Sequence, residues 1–318
     1  MNKKTINYLF PGAKVVSQKA NKKEVREGWL ILDGQQWRIQ DGIVYAPKLS
    51  REVVRERRAI KIIDEIPHLG GSPQADKKIF FEALEALPES SNSPLFIQPG
   101  SFCNISLGAS EYFNFLKSLK GNLHILELGA DTGWSCVRLA EMGHQVIGLD
   151  ISDHLKLRDF WLKKVYFEAV QADMNDLPFR ENLFDLVFAS ATIHHSQDLS
   201  KVAREIWRVL KPGGRFSFLR EPMKGKWAKS NFGKKQKDLG VSENLYSFEQ
   251  WLEAFRKAGF KNFKIALALL GYRKAKVSLK YKLIFLMKDF KKNLLRNFPF
   301  LRDSTVSDYN FSGQKPLK

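Results

Sequence analysis

Residues 123–134 read LHILELGADTGW. An apolar run of strand character ends in a turn bounded by Gly129 and Gly133, and a helical pattern, WSCVRLAEMG (134–143), starts at once. Strand, glycine turn and helix in immediate succession form the opening unit of a parallel sheet. Working outward, QVIGLD (145–150), YFEAVQAD (166–173), FDLVFAS (184–190), GRFSFLR (214–220) and KIALALL (264–270) are further short apolar runs. Between them lie helical segments: DLSKVAREIWRVL (198–210), with Leu199, Val202, Ile206 and Val209 on one face, and FEQWLEAFRKAGF (248–260), with a glycine stop. Continuous apolar strands alternating with amphipathic helices predict a doubly wound, mostly parallel α/β sheet covered on both faces.

In such sheets ligands bind at the carboxyl ends of the strands. Here those ends carry acids. Glu127 precedes the first turn, Asp131 lies within it, Asp150 ends the second strand, and Asp173 ends the third beside Met174. A carboxylate at Asp150, 21 residues after Gly129, is placed to grip ribose hydroxyls. Asp173 is placed to accept from an adenine amino group, with Met174 packing on the ring. A dinucleotide would bring its pyrophosphate to the helix start, where these carboxylates repel it. S-adenosylmethionine presents an ammonium and a sulfonium instead, which acids stabilise.

Five ordered segments carry a resemblance. ILELGADTGW, VIGLDIS, VQADMNDLPF, FDLVFASATIHH and RVLKPGGRFSF are similar to the motifs of the class I S-adenosylmethionine-dependent methyltransferases, in particular the group containing the ubiquinone/menaquinone C-methyltransferases. The resemblance implies a Rossmann-like methyltransferase fold over 116–271, with S-adenosylmethionine as cofactor. It implies that Glu127, Gly129, Ala130, Asp131, Thr132 and Gly133 shape the methionine pocket. Asp150 and Ile151 would hold the ribose, Asp173 and Met174 the adenine, and Ser190 would lie alongside. Asp131 replaces the middle glycine of the family's G-x-G-x-G. Aspartate tolerates left-handed backbone angles better than most residues, so the turn is expected to survive.

Upstream, EGWLILDGQQWRIQDGIVYA (27–46) alternates apolar and polar residues around Asp33-Gly34 and Asp41-Gly42, predicting a small β-rich module over 1–60. QQWRIQDGIVYAP (35–47) resembles the end of a zinc-ribbon-like module that precedes some methyltransferases, without its cysteine pairs. A helical and linker segment spans 61–115, with SREVVRERRAIKIIDE (50–65) and KKIFFEALEAL (77–87) at helical spacing. MKGKWAKSNFGKKQKDLGVSENLYS (223–247) is an insertion where this family places substrate-covering elements, and 272–318 is a basic amphipathic helical extension.

The chain has 318 residues, a net charge of +18 and two cysteines, Cys103 and Cys136. Two cysteines cannot build a disulfide framework or a zinc ribbon, so free thiols in a reducing compartment are expected, and no metal set is marked by spacing. The charge is uneven: residues 1–58, 220–240 and 261–318 hold net +7, +5 and +11, while the remainder is slightly acidic. This pattern fits an anionic partner: a small-molecule or lipid-linked substrate, an anionic membrane surface met through 277–301, or RNA. No apolar run is long enough to cross a bilayer, so the expected location is cytoplasmic, with peripheral contact at the inner membrane surface.

His194 and His195, after the fourth strand, are the candidate catalytic bases. Arg220, Glu221, Trp227 and Tyr246 are the candidate substrate contacts. The expected activity is methyl transfer to an O, N or C nucleophile of a small, lipid-linked or phosphorylated molecule. An RNA methyltransferase and a cofactor-binding scaffold without turnover are the alternatives.

Overall fold

The computed structural model describes residues 1–20, 24–47, 49–64, 77–90, 93–96, 101–268, 283, 287, 290, 294, 295 and 305–317. The strands are β1 (Lys14–Ala20), β2 (Val25–Leu32), β3 (Gln35–Gln40), β4 (Ile43–Tyr45), β5 (His124–Leu128), β6 (Gln145–Asp150), β7 (Glu168–Gln171), β8 (Phe184–Ser190), β9 (Leu210–Lys224), β10 (Lys261–Leu267) and β11 (Val306–Gln314). The helices are α1 (Lys3–Leu9), α2 (Arg51–Asp64), α3 (Lys77–Ala86), α4 (Ser101–Leu107), α5 (Ala109–Ser118), α6 (Trp134–Glu141), α7 (Arg158–Trp161), α8 (Leu199–Val209), α9 (Lys234–Leu239) and α10 (Phe248–Ala258).

Among the described residues the strands form one eleven-stranded sheet in the order β1-β2-β3-β4-β7-β6-β5-β8-β9-β11-β10. From β4 to β9 every pairing is parallel; the two flanks are antiparallel. The chain leaves β5 in one direction through β6 and β7, then returns to its other side for β8 and β9. That reversal makes the carboxyl ends of β5 and β8 the topological switch point, where a crevice opens in a doubly wound sheet.

The two covering layers follow the predicted patterns. One face of α8 buries Leu199, Val202, Ala203, Ile206 and Val209 against the sheet. Asp198 caps its first turn by accepting from Lys201 N at 2.9 Å. The opposite layer is built by α5 and α6, where Phe115, Cys136, Val137 and Leu139 pack on Ile125 and Phe188. Each fully buried side chain of this size stabilises the fold by about 1.5–3 kcal/mol.

Both flanks widen the sheet beyond the expected boundaries. The β-rich N-terminal residues do not stand apart as a separate module. The β2–β3 and β3–β4 hairpins turn through Asp33-Gly34 and Asp41-Gly42, all four at positive φ, as two-residue turns between twisted strands require. The last strand then pairs with the central sheet, Val44 opposite Val170 and Tyr45 opposite Gln171. A buried ion pair fastens the junction: Arg158 Nη2 donates to Glu24 Oε2 at 2.9 Å, and its Nε donates to the Phe167 carbonyl at 2.8 Å.

At the other edge, β11 lies within the stretch expected as a helical extension, yet it inserts between β9 and β10. Its alternate residues Ser307, Tyr309 and Phe311 are buried. Phe311 stands with Phe216 and Phe255 at ring separations of 5.0 and 5.3 Å, so the strand completes an aromatic core. The amphipathic stretch 277–301 lies outside the described residues except for 283, 287, 290, 294 and 295. Of these, Leu283, Met287 and Phe290 are exposed and Leu295 is buried. No helix among the described residues is long and apolar enough to cross a membrane.

Candidate functional site

A cavity of about 880 Å³ opens at the switch point. Its floor is the row of strand ends from β5, β6, β7, β8 and β9. One wall comes from α2 (Val53, Glu56, Ile60), a second from α4 and α5 (Ile105, Tyr112), and a third from the insertion after β9 (Phe232, Val241, Glu243).

The glycine turn has the conformation its sequence requires. Gly129, Asp131 and Gly133 hold φ of +72°, +46° and +79°. A Cβ on Gly129 would lie 2.2 Å from Thr192 Oγ1, so the turn passes tightly beneath the loop after β8. Asp131 survives in the left-handed region, as expected, and its N–H donates to Asp150 Oδ2 at 2.8 Å. Asp150 Oδ1 accepts from Ser152 N at 2.7 Å. Desolvation and the nearby Asp131 raise the Asp150 carboxyl above the usual aspartate range. Desolvation also works against the charge on Asp131, but His154 beside it holds that carboxyl below its ordinary value.

Glu127 is buried and turned onto α6, accepting from Ser135 Oγ and, at 3.0 Å, from Cys136 Sγ. Burial pushes it up to about 7. Asp173 Oδ1 accepts from Asn175 N and Nδ2, each at 2.8 Å. Glu127, Gly129, Asp131, Asp150, Ile151, Asp173, Met174 and Ser190 all line the cavity. Ala130, Thr132 and Gly133 do not. They support the turn from behind: Ala130 is buried, the Thr132 carbonyl accepts from Trp161 Nε1 at 2.7 Å, and Gly133 passes against Phe167.

The loop after β8 brings both histidines to the opposite end of the cavity. His194 is buried between two carboxylates, its Nδ1 2.9 Å from Glu221 Oε2 and its Nε2 3.3 Å from Glu243 Oε2. Desolvation alone would favour the neutral ring, but these two partners push its pKa up to about 9. A ring held between two carboxylates in that way favours its protonated form, which does not suit the role of base expected of His194. His195 faces the cavity with Nδ1 directed at the Ser242 carbonyl and 3.7 Å from Glu56 Oε1. Desolvation and the charge on His194 lower it to about 4. Glu56, buried on α2, is raised to about 7 by desolvation.

The expected substrate contacts divide. Arg220 lines the cavity; it holds φ +59° where the β9–β11 register slips, and its N–H donates to Asn310 Oδ1 at 3.0 Å. Its buried Nε has no partner among the described residues. Glu221 does not face a ligand: it is fully buried and accepts from the N–H groups of Thr192, Ile193 and His194 at 2.8, 3.0 and 3.2 Å. Trp227 is exposed beneath Lys226, away from the cavity. Tyr246 donates to the Ser196 carbonyl at 2.7 Å and packs edge-on against Trp251.

Sequence reading missed Glu56, Glu243, Asn175 and Thr192. Glu56 left a signal, since Val53, Glu56 and Ile60 share one face of a helix whose other faces are basic. Glu243 left none, because its place depends on how the insertion folds back.

The donor set fits a sulfonium-bearing adenosine. Carboxylates stand at three adjacent strand ends, and Gly129 and Asp131 of the turn line the same cavity. Comparison with known proteins agrees with this chemistry. Residues 126–218 match the family model described as a methyltransferase domain. A sarcosine/dimethylglycine N-methyltransferase from Halorhodospira halochloris is 34% identical over 113 residues, covering 34% of this chain and 40% of that protein. A sterol 24-C-methyltransferase from Kluyveromyces lactis is 27% identical over 177 residues, covering 52% of this chain and 48% of that protein. The chain thus spans less than half the length of each. Among solved structures, phosphoethanolamine N-methyltransferase 2 from Haemonchus contortus, in complex with S-adenosyl-L-methionine, has a TM-score of 0.55 at 19% identity. That match covers 86% of this chain and 62% of the other. Residues 126–218 are thus similar to a methyltransferase domain, and they lie on a Rossmann-like sheet that the flanking segments widen on both sides.

Proposed function

We propose that the chain is an S-adenosylmethionine-dependent methyltransferase acting on a small or lipid-linked acceptor. The observation that carries this reading is the convergence of Asp150, Asp173 and the Gly129–Gly133 turn on one cavity at the switch point. When bound, S-adenosylmethionine supplies a methyl group activated by positive sulfur. Asp150 and Ile151 hold its ribose, while Asp173 and Met174 hold its adenine. Glu127, Gly129 and Asp131 shape the methionine end beside Ser190, and Ala130, Thr132 and Gly133 keep that turn in place.

Holding donor and acceptor in line supplies a large part of the rate. The acceptor's end of the cavity is walled by His195, Glu56 and Arg220. Glu56 receives the proton that the acceptor releases, and Arg220 offers N–H donors to an anionic group. Apolar walls from Val53, Ile60, Ile105 and Phe232 suit a substrate with a hydrocarbon portion. The names of the relatives, which include methylated amines and sterols, support an acceptor of small-molecule or lipid type. The five motifs favour the ubiquinone/menaquinone C-methyltransferase group, and the two buried, reduced cysteines Cys103 and Cys136 fit a reducing, cytoplasmic setting.

The test is incubation of the chain with methyl-labelled S-adenosylmethionine and cell extract, followed by mass spectrometry. Label in a metabolite or lipid is expected. Label confined to RNA, or no transfer at all, overturns the reading.

A further inference from the structure

His194, His195 and Glu243 stand together on the cavity wall in the arrangement of a metal centre. One ligand atom from each lies within 4.8 Å of the other two. His194 Nε2 and Glu243 Oε2 are 3.3 Å apart, close to the edge, about 3.3 Å, of a tetrahedron whose ligands stand about 2.0–2.1 Å from zinc.

Metal-binding imidazoles give one nitrogen to the ion and the other N–H to an acceptor that fixes ring and tautomer. Both rings are set in this way, the ion taking the place of the proton that His194 otherwise carries on Nε2. His194 Nδ1 faces Glu221 at 2.9 Å, and Glu221 is itself pinned by the N–H groups of Thr192 and Ile193. His195 Nδ1 faces the Ser242 carbonyl. A carbonyl only accepts, so the His195 proton sits on Nδ1 and a lone pair remains on Nε2. Charge points the same way, because Glu56, Glu221 and Glu243 surround the two rings and a dication offsets them.

We propose that His194, His195 and Glu243 bind one first-row divalent transition metal, with its remaining coordination positions turned to the cavity that all three line. Two imidazole nitrogens and a carboxylate favour zinc, iron, cobalt or manganese over magnesium or calcium. The site does not depend on the cofactor reading. In the metal-loaded chain Glu56 keeps its place as proton acceptor.

The test uses the full chain, stripped with a chelator and dialysed against Co²⁺ as a spectroscopic probe, with elemental analysis of bound metal. Expected are one cobalt per chain, visible d–d absorption, displacement by Zn²⁺, and no competition from Mg²⁺. Affinity is expected to fall at least about 10-fold in Glu243→Ala and in His195→Ala, and by about 10–100-fold in Glu221→Gln. Thermal melting and S-adenosylmethionine titration of each stripped variant separate lost folding or lost cofactor binding from lost metal binding. Uptake far below one equivalent by the parent chain, or equal uptake by folded Glu243→Ala and His195→Ala variants, overturns the proposal.

Discussion

Glu221 Oε2 lies 2.9 Å from His194 Nδ1 while the same carboxylate accepts from three consecutive backbone N–H groups, Thr192 to His194. One fully buried side chain from β9 therefore fixes the whole loop after β8, and with it the wall of the cavity that both histidines share. An acid read from sequence as a substrate contact is instead the anchor of the site. Replacing Glu221 with Ala strands the three N–H groups and a charged ring in the interior. A loss of about 3–5 kcal/mol is expected in denaturant unfolding, with Glu221→Gln milder because its amide oxygen still accepts.

Gly129 and Gly121 offer a controlled comparison. Both hold positive φ, +72° and +71°, but a Cβ at Gly121 meets nothing within 4 Å, whereas one at Gly129 lies 2.2 Å from Thr192 Oγ1. Gly121→Ala is expected to cost about 1–2 kcal/mol from backbone strain alone. Gly129→Ala is expected to cost more and to weaken S-adenosylmethionine binding, read by calorimetry. Equal effects at the two positions would refute the close packing of the turn on the β8 loop.

Phe311 probes the edge of the sheet. It is 1% exposed and packs among rings of β9, β10 and α10. Phe311→Ala is expected to lower unfolding stability by about 3–5 kcal/mol. A change below about 0.5 kcal/mol would mean that the final strand is a surface addition.

Glu24 sets an acid dependence. Desolvation opposes its charge, yet the Arg158 guanidinium at 2.9 Å and the further partner Arg26 hold its pKa near 2, below the ordinary 4.5. A depressed carboxyl contributes stability above its unfolded pKa and loses it as pH falls through the folded one. Glu24→Gln is expected to be less stable than the parent by about 3 kcal/mol at pH 7. The gap should narrow as pH drops from about 4.5 toward 2. Urea midpoints measured across this range check it; a gap independent of pH would contradict the ion pair.

The parallel centre of the sheet was legible because β5, β6 and β8 are largely buried and read as mainly apolar runs beside amphipathic helices. Asp150 and Asp173 were legible for the same reason: the strand end fixes where they stand. The flanks were not. Val44 meets Val170, and Tyr309 meets Glu221, across separations that no local pattern encodes. The alternation of Ser307, Tyr309 and Phe311 was a period-two signal masked by the basic stretch before it. Glu243 reaches His194 only because the insertion folds back over the cavity, and no local pattern marked Tyr246 and Glu221 as bonding inward to the loop after β8.

The central claim is that acids at adjacent strand ends hold an adenosine bearing a cationic sulfur. Calorimetric titration of the full chain with S-adenosylmethionine, with NADH as comparator, tests it most directly. The account predicts one site for S-adenosylmethionine with a dissociation constant of about 1–100 μM, no binding of NADH, and at least about a 10-fold loss in a folded Asp150→Ala variant. Absence of heat with S-adenosylmethionine, or unchanged affinity after Asp150→Ala, would contradict it.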